Sequence, residues 1–246
     1  LQLSGNNTYA GTTSINEGTL RITHSNALGI ASNNSANYGT VVLNGAALEI
    51  DGSGGAVNVG EEALTLNGLG MGYGNTNALV SGNRGALRNI AGTNSWTGAI
   101  TLTNAGNNST VALGIDAGEL DLNAAIGQTA NVNVTKVGPG LLEFGGSTAN
   151  TYTGGTTTIA EGTLRLNKPA GVAAIGGTQT VQVGDNVGGA GADQLIFLAN
   201  DQIADANTVN VQSSGRLNLN GFNESVNGTL TLINGLLAMS ELAVVS

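Results

Sequence analysis

One phrase occurs twice in this chain and limits what it can fold into. Asn7 to Ile22 reads N-T-Y-A-G-T-T-S-I-N-E-G-T-L-R-I, and Asn150 to Leu166 reads N-T-Y-T-G-G-T-T-T-I-A-E-G-T-L-R-L. Tyr9 maps to Tyr152 and Glu17 to Glu161, and the second offset is larger by one, so a single residue has been inserted between the anchors. A looser copy of the first half begins at Asn94-Ser95-Trp96-Thr97-Gly98. Each full copy is a strand, a turn carrying Glu-Gly, and a second strand. A chain that repeats such a unit is built by stacking, because one unit alone has nothing to bury its apolar face against.

The rest of the sequence keeps the same rhythm. Short alternating runs such as Val132-Asn-Val-Thr and Arg216-Leu-Asn-Leu have one apolar and one polar face. Asn-Gly turns follow at Asn44-Gly45 and Asn67-Gly68. Gly accounts for 40 of 246 residues, and Gly and Asn interrupt every helical window. The 40% hydrophobic content is enough for a core, but aromatics are only 3%. A narrow core of Val, Leu, Ile and Ala between stacked coils fits this balance better than a sandwich does. The expected fold is all-β: a right-handed parallel β-helix (solenoid) of about ten coils. With coils of roughly 20–25 residues and ~4.8 Å per rung, the rod would be roughly 50 Å long. One stack is expected over 1–246, with a first module at 1–67, an irregular insertion at 68–95 and a second module at 96–246. His24 to Tyr38 reads as a loop, and the apolar tail Leu236 to Val245 fits strand or helix equally.

Charge narrows the function. Seven basic and 16 acidic residues give −9, with no Lys/Arg cluster, which disfavours nucleic acid and anionic lipid as partners. Charged residues make up 9%, against about 25% in an average protein. There is no Cys, so disulfides and thiolate chemistry are excluded. No apolar run reaches the ~18–20 residues of a membrane span. The first residue is Leu and no signal peptide is present, so a processed product or a piece of something longer is expected.

The repeat phrase resembles the autotransporter-associated β-strand repeat found in passenger regions of large Gram-negative surface proteins. Val134-Thr-Lys-Val-Gly-Pro-Gly-Leu-Leu-Glu-Phe is similar to the lead-in of such repeats, and Arg216-Leu-Asn-Leu-Asn-Gly-Phe-Asn-Glu-Ser-Val resembles the segment that follows them. The likeness is strong over 134–232, good over 1–66 and poor over 68–95. It implies a β-helix, export, and display at the cell surface or release outside the cell. It brings no catalytic set with it.

Few residues suggest chemistry. Gly188 to Ile196 fits the calcium nonapeptide G-G-x-G-x-D-x-U-x once, ending its ligand run at Asp193. A single copy supplies half the oxygens, and Asp185 and Asp201 are not at repeat spacing, so a Gly-rich corner is expected. Asp116, Glu119 and Asp121 are the densest acidic group. Glu119 and Asp121 share a strand face and could act as a hydrolytic pair, but a solvated polar face is the expectation. Glu61-Glu62 reads as surface. The single histidine, His24, supports no triad or metal cluster. Tyr9, Trp96 and Tyr152 hold the same place in the phrase and are expected to cover coil corners. No catalytic, cofactor-binding or metal residue is assigned, and no cofactor is expected. The expected role is structural or adhesive, not enzymatic. Expected partners are flanking coils of a longer chain or a second copy head to tail, since no terminal cap is evident, with glycans or matrix on the neutral Asn/Thr/Gly exterior. The alternative is a polysaccharide lyase or glycoside hydrolase on the same scaffold.

Overall fold

The computed structural model describes residues 1–29, 39–71, 85–104 and 110–238. Every strand pairing it contains is parallel, and strands of one sheet are never consecutive in sequence. The chain therefore winds through three faces in turn. Among the described residues the long face has ten strands, the second eight and the third five. One coil runs Thr110–Ile115 on the long face, Glu119–Leu122 on the second and Ile126–Gln128 on the third, then re-enters the long face at Asn133–Val137. This is the parallel β-solenoid that the repeat phrase led us to expect. About eight turns are complete on the second face, and ten rungs on the long face span roughly 45 Å at ~4.8 Å each.

Strand register makes the core a set of columns. On the long face Leu20, Leu48, Leu87, Leu113, Lys136, Ile159, Val183 and Val211 stack in line. On the second face Leu120, Leu142, Leu164, Leu195 and Leu217 form one column, and Trp96, Leu122, Phe144, Leu166 and Phe197 another. All of these are buried. The alternation in sequence is thus converted directly into an inside and an outside. The coils are unequal in length. The steps from Leu113 to Lys136 and from Lys136 to Ile159 are equal, the step from Val183 to Val211 is longer, and that from Leu48 to Leu87 is the longest of the column.

Three points correct or extend the reading of the sequence. The segment 68–95 is not irregular throughout. It contains the strand Leu87–Ala91 and most of Thr93–Trp96, which belong to the long and second faces. Polar Arg88 and the buried amides Asn89 and Asn94 hid these strands, because they break the apolar alternation. Residues 72–84 lie outside the described set, as do 30–38 of the expected loop and 239–246 of the tail. Secondly, the twin phrases do not occupy the same place around the coil. Thr13–Ile15 is on the third face and Gly18–Ile22 on the long face, whereas Thr156–Ile159 is on the long face and Thr163–Leu166 on the second. What the phrase encodes is a tight corner: Gly18 and Gly162 have φ of 73° and 72°, a left-handed conformation that Glu-Gly supplies at either corner. Thirdly, the aromatics are not equivalent. Trp96 ends a second-face strand and is fully buried, Tyr152 is fully buried before a long-face strand, and Tyr9 is 40% exposed.

Beyond Ile126–Gln128 the third face has no strand among the described residues, only the single bridge Ile175–Ile203. Buried side chains replace the missing backbone ladder. Asn150 accepts the Ile126 N–H and donates to the Ala174 carbonyl at 2.9 and 2.7 Å. Asn207 accepts from Gln179 N at 2.8 Å, and Gln202 from Lys168 N at 2.8 Å. Glu224 accepts from Gln202 N at 2.7 Å and Ile203 N at 3.3 Å. Each of these backbone groups would otherwise be buried without a partner.

Candidate functional site: the charged patch on the second face

Glu119 and Asp121 lie on the strand Glu119–Leu122 and point outward together, as the period of two requires. Register then adds two residues that composition could not. Asp121 sits beside Glu143, and Glu143 beside Arg165, at equal spacings along the chain. One carboxylate oxygen from each of Glu119, Asp121 and Glu143 lies within 4.8 Å of the other two. The Arg165 guanidinium bridges Glu119 and Glu143, reaching Glu143 Oε2 at 2.7 Å. Asn167 Nδ2 donates to the other Glu143 oxygen at 2.8 Å. Asp121 Oδ1 and Arg165 Nε are buried atoms without a hydrogen-bond partner.

Burial raises the proton affinity of Asp121 and Glu143, and for Glu143 the neighbouring Asp121 charge adds to it. Burial draws the Arg165 proton affinity down. Three carboxylates against one guanidinium leave excess negative charge, which favours a shared proton or a cation in the patch. A hard cation wants about 6–8 oxygens, and one oxygen from each of these three carboxylates supplies half or fewer. A retaining glycosidase pair is usually set ~5–5.5 Å apart, and these oxygens lie within 4.8 Å. Arg165 sits between Glu119 and Glu143, however, where a sugar would have to enter.

Asp116 does not join this patch. Its carboxylate pairs with Arg88 at the far end of a ladder of alternating charge, Arg21–Glu49–Arg88–Asp116, on the outer side of the long face. The sequence cluster is thus divided between two faces by the corner at Ala117-Gly118. Glu61 is exposed, but Glu62 is buried, with its carboxylate accepting the Thr40 hydroxyl at 2.9 Å; the surface reading of the pair holds for Glu61 alone. Burial raises the proton affinity of Glu62. His24 Nδ1 accepts the Asn26 N–H at 3.0 Å, within an open cleft also lined by Ser25, Asp51 and Ser53. Asp51 accepts from Ser53 N, so no Ser-His-Asp relay is aligned there.

In the segment 188–196, Asp193 turns inward and is 2% exposed, while Asp185 Oδ1 accepts the Val187 N–H. The Asp185 charge lies near enough to add to the proton affinity of Asp193, which burial raises first. Lys136, missed in the sequence, occupies an aliphatic column and donates from Nζ to the carbonyls of Gly138, Gly140 and Glu161, the last two at 2.6 and 2.7 Å. The signal available was its position: Val134-Thr-Lys-Val puts Lys136 on the same face as Val134.

Stacked parallel coils, inward aliphatic columns and ion-paired outer faces define a β-solenoid module. Residues 1–22 and 134–166 match the passenger-associated-transport-repeat family. These two stretches, 55 of the 246 residues, therefore carry the autotransporter passenger repeat that the sequence resembles, set in a parallel β-solenoid. No curated protein and no solved structure matches the chain. Among the described residues no helix is long and apolar enough to cross a membrane.

Proposed function

We propose that this module is a stiff, hydrated spacer of a secreted surface protein of a Gram-negative bacterium, and that its outer faces make weak repeated contacts with glycans or matrix. The observation that carries this reading is the outer side of the long face. Thr156, Thr180 and Thr208 stack in one outward column and Gln182 and Asn210 continue the next beyond the buried Thr158, a neutral hydroxyl and amide lattice at ~4.8 Å intervals. Such a lattice repeats one weak contact many times, which is how low-affinity groups reach useful avidity. Its test is retention of the bead-coupled full chain on immobilised neutral glycans, compared with a variant carrying Thr156→Glu, Thr180→Glu and Thr208→Glu. Equal retention of the two removes the face from the role.

The same module is suited to stack end to end. Leu232, Ile233 and Leu236 on the last described coil are each 45% exposed, and among the described residues the backbone edges of Leu230–Leu232 and Leu236–Ala238 have one neighbour each. The occupant of that edge would be another parallel coil, from flanking sequence or a second copy. Concentration-dependent rods of increasing length in electron micrographs would support the second copy. Uniform single modules would leave only flanking sequence.

Catalysis is the competing reading, and the closeness of Glu119, Asp121 and Glu143 is what favours it. A screen on acidic and neutral polysaccharides with Asp121→Asn as the control separates the two. Cleavage abolished by that change would replace the spacer role with a hydrolytic one.

A further inference from the structure

The corner between the long and second faces is lined by glycines at successive rungs, with one exception. Carbonyls of Gly118, Gly140 and Gly162 accept in turn from Leu141, Thr163 and Gln194. A side chain at Gly140 or Gly162 would strike backbone atoms within 3.0 Å. In the next coil the position belongs to Asp193, and in the one after to Gly215. Asp193 is the one carboxylate in this column, it is 2% exposed, and its Oδ2 has no hydrogen-bond partner.

Two coils earlier, Lys136 takes the place of an aliphatic residue and is also 2% exposed. Its Nζ ends in this same corner. It donates to Glu161 O, the residue before Gly162, and a side chain on Gly162 would lie 2.7 Å from it. Nζ and the Asp193 carboxyl are therefore about one rung apart, ~4.8 Å, with only glycine between them. They are not in contact: the three protons of Nζ go to carbonyls.

We propose that Lys136 and Asp193 become joined by an intramolecular amide after the coils have stacked. Rotation of the Lys136 side chain away from Glu161 O brings Nζ onto Asp193 Cγ. The neutral amine attacks the protonated carboxyl, the N–C bond forms, and the Asp193 hydroxyl leaves with a proton as water. The proton that the amine gives up is the one the departing hydroxyl takes, so the step balances as the loss of one water. No oxidant or cofactor is consumed. Both reactants are biased toward their neutral forms: burial draws Lys136 down to about 7 and raises Asp193 to about 6. The dry corner also removes the water that would otherwise reverse the step. The bond would tie together the coils that hold Lys136 and Asp193, closing a loop around the complete second repeat.

The intact mass of the folded 246-residue chain, held near neutral pH and then denatured, tests this. The expected mass is that of the sequence less one water. The peptide map should show the Lys136 and Asp193 segments as one species, with no tryptic cleavage after Lys136. Lys136→Met keeps an aliphatic stem in the column and should fold to the same circular dichroism with the full mass of its own sequence. A wild-type chain at full sequence mass overturns the proposal. So does a loss of water that persists in Lys136→Met, since it would then lie elsewhere.

Discussion

Replacing Glu224 by Gln should stabilise the C-terminal coils at alkaline pH and leave them little changed in acid. Glu224 is 2% exposed, accepts the N–H groups of Gln202 and Ile203, and has Asp201 and Asp205 as its charged neighbours. Burial, with those two carboxylates adding to it, raises it from 4.5 to about 7 despite the two backbone donors. The folded chain thus holds this proton more tightly than the unfolded chain does. Stability from this group is complete below pH 4.5 and is lost as pH rises to about 7. At about 1.36 kcal/mol per pH unit, the loss is about 3 kcal/mol. Gln copies the protonated acid in shape and charge, but its amide oxygen accepts less strongly than a carboxylate. The value of about 7 already includes the two donors to the carboxylate, so the variant gains about 3 kcal/mol at pH 8. A solenoid can unfold coil by coil, so a single midpoint is a poor measure. Amide exchange of the peptide spanning 198–210, followed from pH 4 to 8 and corrected for intrinsic rates, reads the site directly. Burial also raises the proton affinity of Glu62 and Asp121, so the difference between wild type and variant is the relevant quantity. Parallel pH profiles for the two chains would refute the reasoning.

Four other outcomes follow from named contacts. Trp96→Ala empties the place between Val59 and Leu122 in their column and strips the donor from Glu62 O, and should cost about 3–5 kcal/mol in urea unfolding of the N-terminal coils. Gly162→Ala places a Cβ 2.6 Å from Gly138 O at φ +72°, and should lower the melting temperature more than Gly171→Ala, where φ is +75° but no atom lies within 4 Å. Tyr152→Phe removes the bond to the Thr157 hydroxyl and should cost about 1 kcal/mol, read by differential scanning calorimetry. Arg165→Met leaves Glu119 and Glu143 without their shared cation; the titration of both, followed by carboxyl carbon NMR, should move to higher pH.

The winding was legible because alternation of period two and tight Gly turns are local properties, and both survive in a parallel stack. Leu217 and Leu219 point inward as read, and Arg216 and Asn218 outward. What the sequence could not yield by inspection was register, since coil lengths vary. Glu143 and Arg165 reach Glu119 and Asp121 only because two successive coils have the same length on the second face. In the longer coil that follows, the same outward column continues from Arg165 to Ile196, and no equal step along the sequence would have found that pair. The buried polar residues were hidden for a different reason. Glu62, Lys136 and Glu224 have ordinary surface composition, and only the shape of the corner decides that their polar atoms meet partners in the interior.

That distribution of buried polar groups has a physical logic. Where all three faces are strands, as from Leu87 to Gln128, backbone mostly satisfies backbone, and the buried amides Asn89 and Asn94 serve the corner between two faces. Where the third face loses its strands, its N–H and C=O groups still cannot reach water, and each must find a partner. Neutral amides at Asn150, Gln179, Gln202 and Asn207 meet the need without charge. Glu224 takes two donors at one residue, where an amide oxygen would be a weaker acceptor, and the penalty for burying its charge then appears above about pH 7. The stability of the rod should accordingly be least uniform where the third face is irregular. Exchange protection at pH 8 should fall from the five-stranded part of that face toward Glu224, and it should even out at pH 4.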